Sequence, residues 1–183
     1  MGVVALASLL AQGCSSKLDP TEPGEAYLLF RKSLVEGDVD GMWQRCSQST
    51  KDYFDQRYQQ LVQMEQKIEK YLPQTDHKLA RKQSGAVLLE ELEDGRDLFE
   101  KIVKPDRVAV NQARRLGSSI QEIRVSKDGK QARVQTRSGR TYRLVKEGGK
   151  GEWYVALADS IGSVDKSFVW LDRNTSALTE TVN

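Results

Sequence analysis

The sequence has few of the residues that form covalent cross-links or bind metals. It has two cysteines and a single histidine, His77, in 183 residues. A histidine between Asp76 and Lys78 is typical of a solvated loop residue rather than a metal ligand. Cys46 follows Arg45 in GMWQRCS without a CxxC partner, which predicts a buried structural thiol and not a redox nucleophile. We therefore expect no metal site and no cofactor.

The sequence also lacks an excess of charge of either sign. Its 28 lysines and arginines nearly balance its 26 aspartates and glutamates, for a net charge of +2. So small a charge gives no argument for nucleic-acid binding, and the aromatic residues do not alternate with basic ones in a stacking pattern. We predict no nucleic-acid partner, so any function that depends on charge must come from a local patch.

The apolar run over residues 3–11, VVALASLLA, is far short of the ~20 residues that span a bilayer. Gly13, Cys14 and the polar Ser15 and Ser16 follow it. This pattern resembles the lipobox of bacterial lipoproteins, in which cleavage before the cysteine frees it for acylation. The alternative is an apolar N-terminal helix with an incidental cysteine.

The lipobox resemblance implies a signal peptide over residues 1–13, and a lipidated Cys14 and tether over residues 14–24. It also implies that the protein lies in the bacterial cell envelope, where its lipid attaches it to a membrane. Ser15, rather than Asp, after the cysteine favours the outer membrane, with the domain facing the periplasm. With Cys14 acylated, Cys46 has no intrachain partner, so the fold must be stabilised without a disulfide.

The sequence after the tether predicts helices. Apolar spacing places Tyr27, Phe30 and Leu34 on one face of a helix over residues 25–36, which Gly37 ends. Asp38 is predicted to cap a short helix over residues 39–46.

Ser49 or Thr50 is predicted to cap a long third helix that ends near Leu72. Steps of three and four predict its apolar face, which is Phe54, Tyr58, Leu61, Met64, Ile68 and Tyr71 or Leu72. Residues 73–85 predict a loop, and residues 86–103 predict two short helices broken at Asp94-Gly95. Residues 108–116 fit an edge strand or a helical turn, and the alternation of Val108 and Val110 favours the strand.

Alternating apolar residues over 120–157 predict an antiparallel meander. A type I′ turn at Asp128-Gly129 would pair Val125 with Ala132 and Ile123 with Val134. A three-residue loop at the second turn would place Val134 opposite Leu144 and Thr136 opposite Tyr142. Trp153, Val155 and Leu157 are predicted to point inward from the last strand. Ser163 can then cap a C-terminal helix, whose predicted apolar residues are Val164, Phe168 and Leu171, before a polar tail over residues 174–183.

The segment AYLLFRKSLVEGDVDGMW, the later helices and a sheet that closes with Gly151 and Trp153-Tyr154-Val155 resemble NTF2-like, or cystatin-like, domains. This resemblance implies an α+β fold over residues 25–173, in which N-terminal helices pack on a curved antiparallel sheet and a C-terminal helix follows. In that superfamily the sheet forms a cone that holds a small ligand, a catalytic dyad or only side chains. The candidate cone lining is Tyr27, Trp43, Tyr142 and Trp153.

Enzymes of this superfamily, similar to ketosteroid isomerases and polyketide cyclases, place an acid or a His-Asp pair on the apolar lining. The predicted inward positions carry no carboxylate and no histidine. They are Ile123, Val125, Ala132, Val134, Tyr142, Leu144, Trp153 and Val155. We therefore predict that the protein is not an enzyme, and a small-molecule-binding or isomerase-like or cyclase-like cone is the alternative.

The opposite face of the sheet is basic. Residues 120–157 contain nine lysines or arginines against four acidic residues, and the register places Arg124 opposite Arg133, with Arg143 close by. Arg137 and Arg140 fall in the second turn. One interpretation is a solvated face on which the side chains splay apart. The other is a surface that binds anionic lipid, lipopolysaccharide or an acidic envelope protein, in a lipid-anchored, non-catalytic protein.

Overall fold

The computed structural model describes residues 18–103, 119–161, 166 and 169–173. The fold is α+β, as predicted. The α-helices are α1 (Pro23–Glu36), α2 (Val39–Arg45), α3 (Gln48–Tyr71), α4 (His77–Ser84), α5 (Gly95–Ile102) and α6 (Leu157–Ile161). The strands are β1 (Ile120–Val125), β2 (Gln131–Thr136), β3 (Thr141–Glu147) and β4 (Glu152–Val155), which form an antiparallel sheet in the order β1-β2-β3-β4.

Helix α1 packs on the sheet with the face that the sequence predicts, burying Ala26, Tyr27 and Phe30. It ends at Gly37, whose φ of 73° is a left-handed conformation that glycine adopts without steric cost. The helix begins at Pro23, two residues before its predicted start, because proline fits the first turn of a helix. The Pro20 carbonyl already accepts a hydrogen bond from the Trp153 amide at 2.8 Å. The domain therefore begins inside the predicted tether.

Helices α2 and α3 differ in how well their starts were predicted. The Asp38 side chain caps α2 by accepting a hydrogen bond from the Gly41 amide, as expected. The cap of α3 is Ser47, not Ser49 or Thr50, because the Ser47 hydroxyl accepts from the Thr50 amide. Thr50 lies inside the helix and is buried. Its hydroxyl accepts a hydrogen bond from the Leu157 amide instead of capping α3.

The prediction of a loop over residues 73–85 is wrong. A short 3-10 helix (Gln74–Asp76) leads directly into α4, which packs on α3. Arg81 on α4 bonds Glu65 on α3, with the Arg81 Nε atom 2.7 Å from Glu65 Oε1. Few apolar residues lie in this segment, so the pattern gave no sign of a helix that is attached largely through polar contacts.

The region that follows α4 agrees better with its prediction. A 3-10 helix (Ala86–Glu91) and α5 are separated where predicted, and the Asp94 side chain caps α5 by accepting from the Asp97 amide at 2.9 Å. The predicted edge strand over residues 108–116 lies outside the described residues.

The first hairpin has its predicted register but not its predicted turn. Val125 pairs with Ala132, and Ile123 pairs with Val134. A type I′ turn needs a positive φ at both central residues, and only Gly129 has one, at 66°. The connection instead spans residues 127–130, closed where the Ser126 amide donates to the Gln131 carbonyl at 2.8 Å.

The second hairpin is shifted by two residues from its predicted pairing. Val134 lies opposite Tyr142 rather than Leu144. The connection is residues 137–139, where Gly139 has a φ of 81° and its amide donates to the Thr136 carbonyl. It has the three-residue length that was predicted, but it begins one residue earlier. Because strand side chains alternate with a period of two, this shift keeps every side chain on its predicted face.

Two apolar predictions at the margins of the sheet are wrong. Ile123 and Val125 were expected inside but are 39% and 51% exposed, since β1 is the outer strand of the sheet that the described residues form and α1 packs more closely on β4. Leu157 is buried, but it begins α6 instead of ending β4. Trp153 and Val155 do point into the core.

The core lies between the sheet and the helices, with an aromatic cluster at α3 and α5. Phe54 and Phe99 are fully buried, with ring centroids 5.2 Å apart.

Residues 169–173 are helical, and Leu171 is buried as predicted. Asp172 ties this helix to α3, since it accepts hydrogen bonds from the Tyr53 hydroxyl and from Arg57. The predicted cap Ser163, the predicted apolar residues Val164 and Phe168, and the tail over residues 174–183 lie outside the described residues.

The Thr50 hydroxyl joins α3 to the start of α6. Its Oγ1 atom accepts hydrogen bonds from the Leu157 amide at 2.9 Å and the Ala158 amide at 3.4 Å. We expect Thr50→Val to lower the free energy of unfolding by about 1–2 kcal/mol, because valine keeps the shape and leaves a buried N–H without a partner. Urea denaturation measures this loss, and Leu157 amide exchange should accelerate in Thr50→Val but stay protected in Thr50→Ser. Equal protection in both variants would contradict the assigned role.

Candidate functional site

Three arginines lie side by side on the sheet face opposite the core. Arg124 on β1 pairs with Arg133 on β2, and Arg133 pairs with Arg143 on β3. We call these three residues the arginine row. Arg133 alternates with the buried neighbours Ala132 and Val134, so the hydrophobic pattern that fixes the register also aligns the arginines. The predicted juxtaposition is confirmed, and like charges placed across strands in this way repel one another.

The outer arginine on β1 has a carboxylate partner. Arg124 donates to both oxygens of Glu122, from Nε at 2.7 Å and from Nη2 at 3.0 Å. The two residues are two positions apart on one strand, so their side chains share a face. This hydrogen bonding lowers the pKa of Glu122 from its ordinary value. Glu122 therefore stays ionised and offsets the charge at this end of the row.

The other outer arginine lies beside α6. The Arg143 amide donates to the Ser160 hydroxyl at 2.8 Å, and the Arg143 carbonyl accepts from the Ala156 amide at 2.9 Å. These bonds hold α6 against β3 and bring Asp159 Oδ2 to 3.9 Å from Arg143 Nη1. Both side chains are half exposed, so the attraction is weak and screened by solvent.

The central arginine has no such partner among the described residues. Within the described part of the chain, Arg133 forms no ion pair and its side chain makes no hydrogen bond. A cleft of about 350 Å³ lies over it. The cleft is lined by Arg124, Val125, Ser126, Gln131, Ala132, Arg133, Arg143, Leu144, Val145 and Asp159. Arg133 can therefore bind an anion. The guanidinium groups on either side, those of Arg124 and Arg143, are already partly neutralised by Glu122 and Asp159.

The two remaining candidate arginines lie elsewhere. Arg137 is in the second connection, where its amide donates to the Ser119 carbonyl. Arg140 directly precedes β3. Both side chains are exposed, and neither lines the cleft. The structure thus brings together three of the five arginines that the sequence suggested.

The candidate cone-lining residues lie in or against the core. The rings of Tyr27 and Tyr142 are 5.1 Å apart and both residues are buried, as is Trp153. Burial raises the pKa of the Tyr27 hydroxyl. Trp43 is half-buried and packs against Phe99, with ring centroids 5.1 Å apart. These contacts give all four residues a packing role.

Cys46 is a buried free thiol, as predicted, and burial raises its pKa to about 12. A thiol held in its protonated form is a poor nucleophile.

His77 begins α4 rather than lying in a loop, and its Nε2 atom is 2.9 Å from the Leu72 carbonyl oxygen. Among the described residues, no three side chains of the metal-binding types cluster at one point.

Sequence reasoning missed the part that α6 plays at the site. Asp159 lies beyond the strands, so no strand alternation could place it beside Arg143. The spacing of Glu122 and Arg124 did carry a signal, because residues two apart on a strand share a face. Cys14, the predicted lipid-attachment site, lies outside the described residues, and no helix of the described ranges has the length and hydropathy to cross a bilayer.

The fold and the surface define an α+β domain with a basic cleft on the back of its sheet. Comparison with protein-family models, with curated proteins and with solved structures found no match.

Proposed function

We propose that this protein is a lipid-anchored, non-catalytic component of the bacterial cell envelope, whose domain binds an envelope partner through the arginine row. The observation that carries the proposal is the unpaired Arg133 between two arginines that have carboxylate partners, within the described part of the chain. An uncompensated charge beneath a cleft is a feature that an anionic partner would stabilise. The N-terminal pattern ending in Cys14 supplies the membrane attachment.

We also propose that the domain is NTF2-like and faces the periplasm from the outer membrane. The order of the elements supports the fold, since helices precede a four-stranded meander and a helical segment follows it. The packing of Tyr27, Tyr142 and Trp153 in the core supports a binding module over the alternative of a ligand-holding or catalytic cone. Ser15 after the cysteine supports the outer membrane.

The anchor would hold the domain close to the bilayer. Pro20 is bonded to β4 through the Trp153 amide, so only the residues between Cys14 and Pro20 could act as a tether. A fully extended chain covers about 3.5 Å per residue, which limits this span to about 20 Å. A domain on so short a tether would meet membrane-associated partners at a high local concentration.

We expect Cys14→Ser to abolish acylation of the protein and to lower the share of it that is found in the membrane fraction. Several acyl chains anchor a protein stably, because each buried methylene contributes about 0.8 kcal/mol, and serine cannot form the thioether. Fractionation of bacterial cells, with mass spectrometry of the N-terminal peptide, measures the change. Cys46→Ser is the matched control and should remain in the membrane fraction. If Cys14→Ser stays there too and the parent protein carries no lipid, the anchor is disproved.

A further inference from the structure

We infer that the cleft over Arg133 binds the phosphodiester group of an anionic phospholipid headgroup. This inference rests on the proposed function and names the chemistry of the partner. The site consists of the arginine row, the flanking carboxylates Glu122 and Asp159, and the polar side chain of Gln131 in the cleft wall.

The charge of the site matches one phosphodiester. Three guanidinium groups face two carboxylates, Glu122 and Asp159, which leaves a net charge of +1. A phosphodiester carries a single negative charge, whereas a phosphomonoester carries about −1.5 to −2 at neutral pH. One diester therefore neutralises the site, and a monoester would leave it negative.

The geometry places the strongest available donor at the centre. A guanidinium group is a planar fork that donates two parallel hydrogen bonds to a phosphate, and the fork of Arg133 is not engaged within the described part of the chain. Neighbouring strands lie about 4.8 Å apart, so Arg124 and Arg143 flank the same anion from both sides. An added anion would also offset the repulsion along the row.

The size of the cleft favours a headgroup over a protein partner. Its volume of about 350 Å³ is at the lower end of the range for small-ligand sites, which runs from about 300 to 1,000 Å³. Protein partners bury about 800 Å² on each side, far more than one recess of this size offers. The short tether from Cys14 would raise the local concentration of headgroups around the domain.

The test is vesicle sedimentation with the full chain carrying Cys14→Ser, so that no acyl chain contributes to binding. Vesicles of phosphatidylglycerol and phosphatidylcholine in equal parts are compared with phosphatidylcholine alone. We expect binding to the mixed vesicles, and Arg133→Gln should weaken it about tenfold or more, since it removes a charge and its charge-assisted hydrogen bonds to the phosphate. Arg133→Lys should bind at an intermediate level, because it keeps the charge and loses the fork.

Two further variants separate the cleft from bulk charge. Lys150→Ala removes an equal charge from an exposed turn outside the cleft and should change binding by less than about threefold, because solvent screens distant charges. Asp159→Asn should tighten binding several-fold, because it removes the carboxylate that competes for Arg143. Arg133→Gln should fold normally, since it removes an exposed like charge and, within the described residues, no ion pair.

Equal losses in Arg133→Gln and Lys150→Ala would overturn the assignment, as would equal binding to the two vesicle types. Binding of inorganic phosphate at millimolar concentration, measured by calorimetry, together with no vesicle binding would also overturn it, in favour of a soluble ligand. Each of these results can occur while Cys14 still anchors the protein and fractionation is unchanged. In that case the lipid-anchored function stands, and only the assignment of a phospholipid to the cleft is lost. Loss of anchoring with intact vesicle binding would mean that the phospholipid assignment stands and the lipid anchor does not.

Discussion

Phe54→Ala should lower the free energy of unfolding by about 3–5 kcal/mol, the usual cost of removing a buried phenylalanine ring. The Phe54 side chain is fully buried on α3. Its ring lies 5.2 Å from that of Phe99 on α5 and 6.4 Å from that of Trp43 on α2, both edge to face. Truncation would remove apolar burial and both aromatic contacts, and it would leave a cavity where three helices meet.

Urea denaturation of the Cys14→Ser chain measures the loss, and the melting temperature should fall by roughly 10 °C in a protein of this size. Tyr71→Ala is the matched control, because it removes an aromatic ring from the same helix at a position that is 69% exposed. That control should change stability by less than about 0.5 kcal/mol. If Phe54→Ala costs less than about 1 kcal/mol, the aromatic cluster is not the centre of the core.

The sequence was informative where one face of an element is buried. On α3, apolar residues at intervals of three and four predicted the face that contains Phe54, Leu61 and Ile68, and all three are buried. The prediction failed at the end of the helix, where Tyr71 and Leu72 are 69% and 41% exposed. In the sheet, alternation predicted that Ala132 and Leu144 point inward. The arginine row followed from that alternation, because a polar residue between two buried ones must lie on the outer face.

The sequence was less informative where polar contacts decide the structure. The helix α4 is attached through Arg81 to Glu65, and such pairs leave no periodic apolar signal. The start of the second connection was misplaced because Arg137 and Arg140 are equally acceptable in a turn or at a strand end. The local preference of Asp128-Gly129 for a tight turn gave way to bonds that Asp128 forms with Ser126 and with the Lys130 amide.

At the candidate site, too, the sequence predicted the contacts between neighbouring strands but not the contacts that depend on packing. Two strands separated by a short turn predicted that Arg124 faces Arg133, because the pairing is local. The position of Asp159 depends on how α6 turns back along β3, through the Ser160 hydroxyl and the Ala156 amide. That contact follows from packing, not from a repeating pattern. The proximity of Asp159 to Arg143 could therefore be found only in the structure.

Gly95→Ala should lower the free energy of unfolding by about 3 kcal/mol. Among the described glycines without a positive φ, we expect this replacement to be the most destabilising. Gly95 begins α5 where that helix meets α3. A Cβ atom at this position would lie 2.2 Å from the Asp55 carboxylate oxygen, and 2.6 Å and 2.7 Å from the Asp55 amide nitrogen and Cα. A side chain can rotate away, but the backbone of a long helix cannot, so α5 must shift and the core beneath it must repack.

Gly149→Ala is the matched control for this prediction. Gly149 lies in the turn before β4 and has no positive φ, and no atom of the described residues beyond its chain neighbours lies within 4 Å of the position that a Cβ atom would occupy. Alanine there should be neutral, or stabilising by about 0.4–1 kcal/mol through a less flexible unfolded chain. Urea denaturation of both variants, with near-ultraviolet circular dichroism of the aromatic cluster, compares them directly. Because Phe99 lies on α5, a shift of that helix should change the aromatic spectrum in Gly95→Ala alone. Equal stability of the two variants would mean that α3 and α5 are not in contact at Asp55.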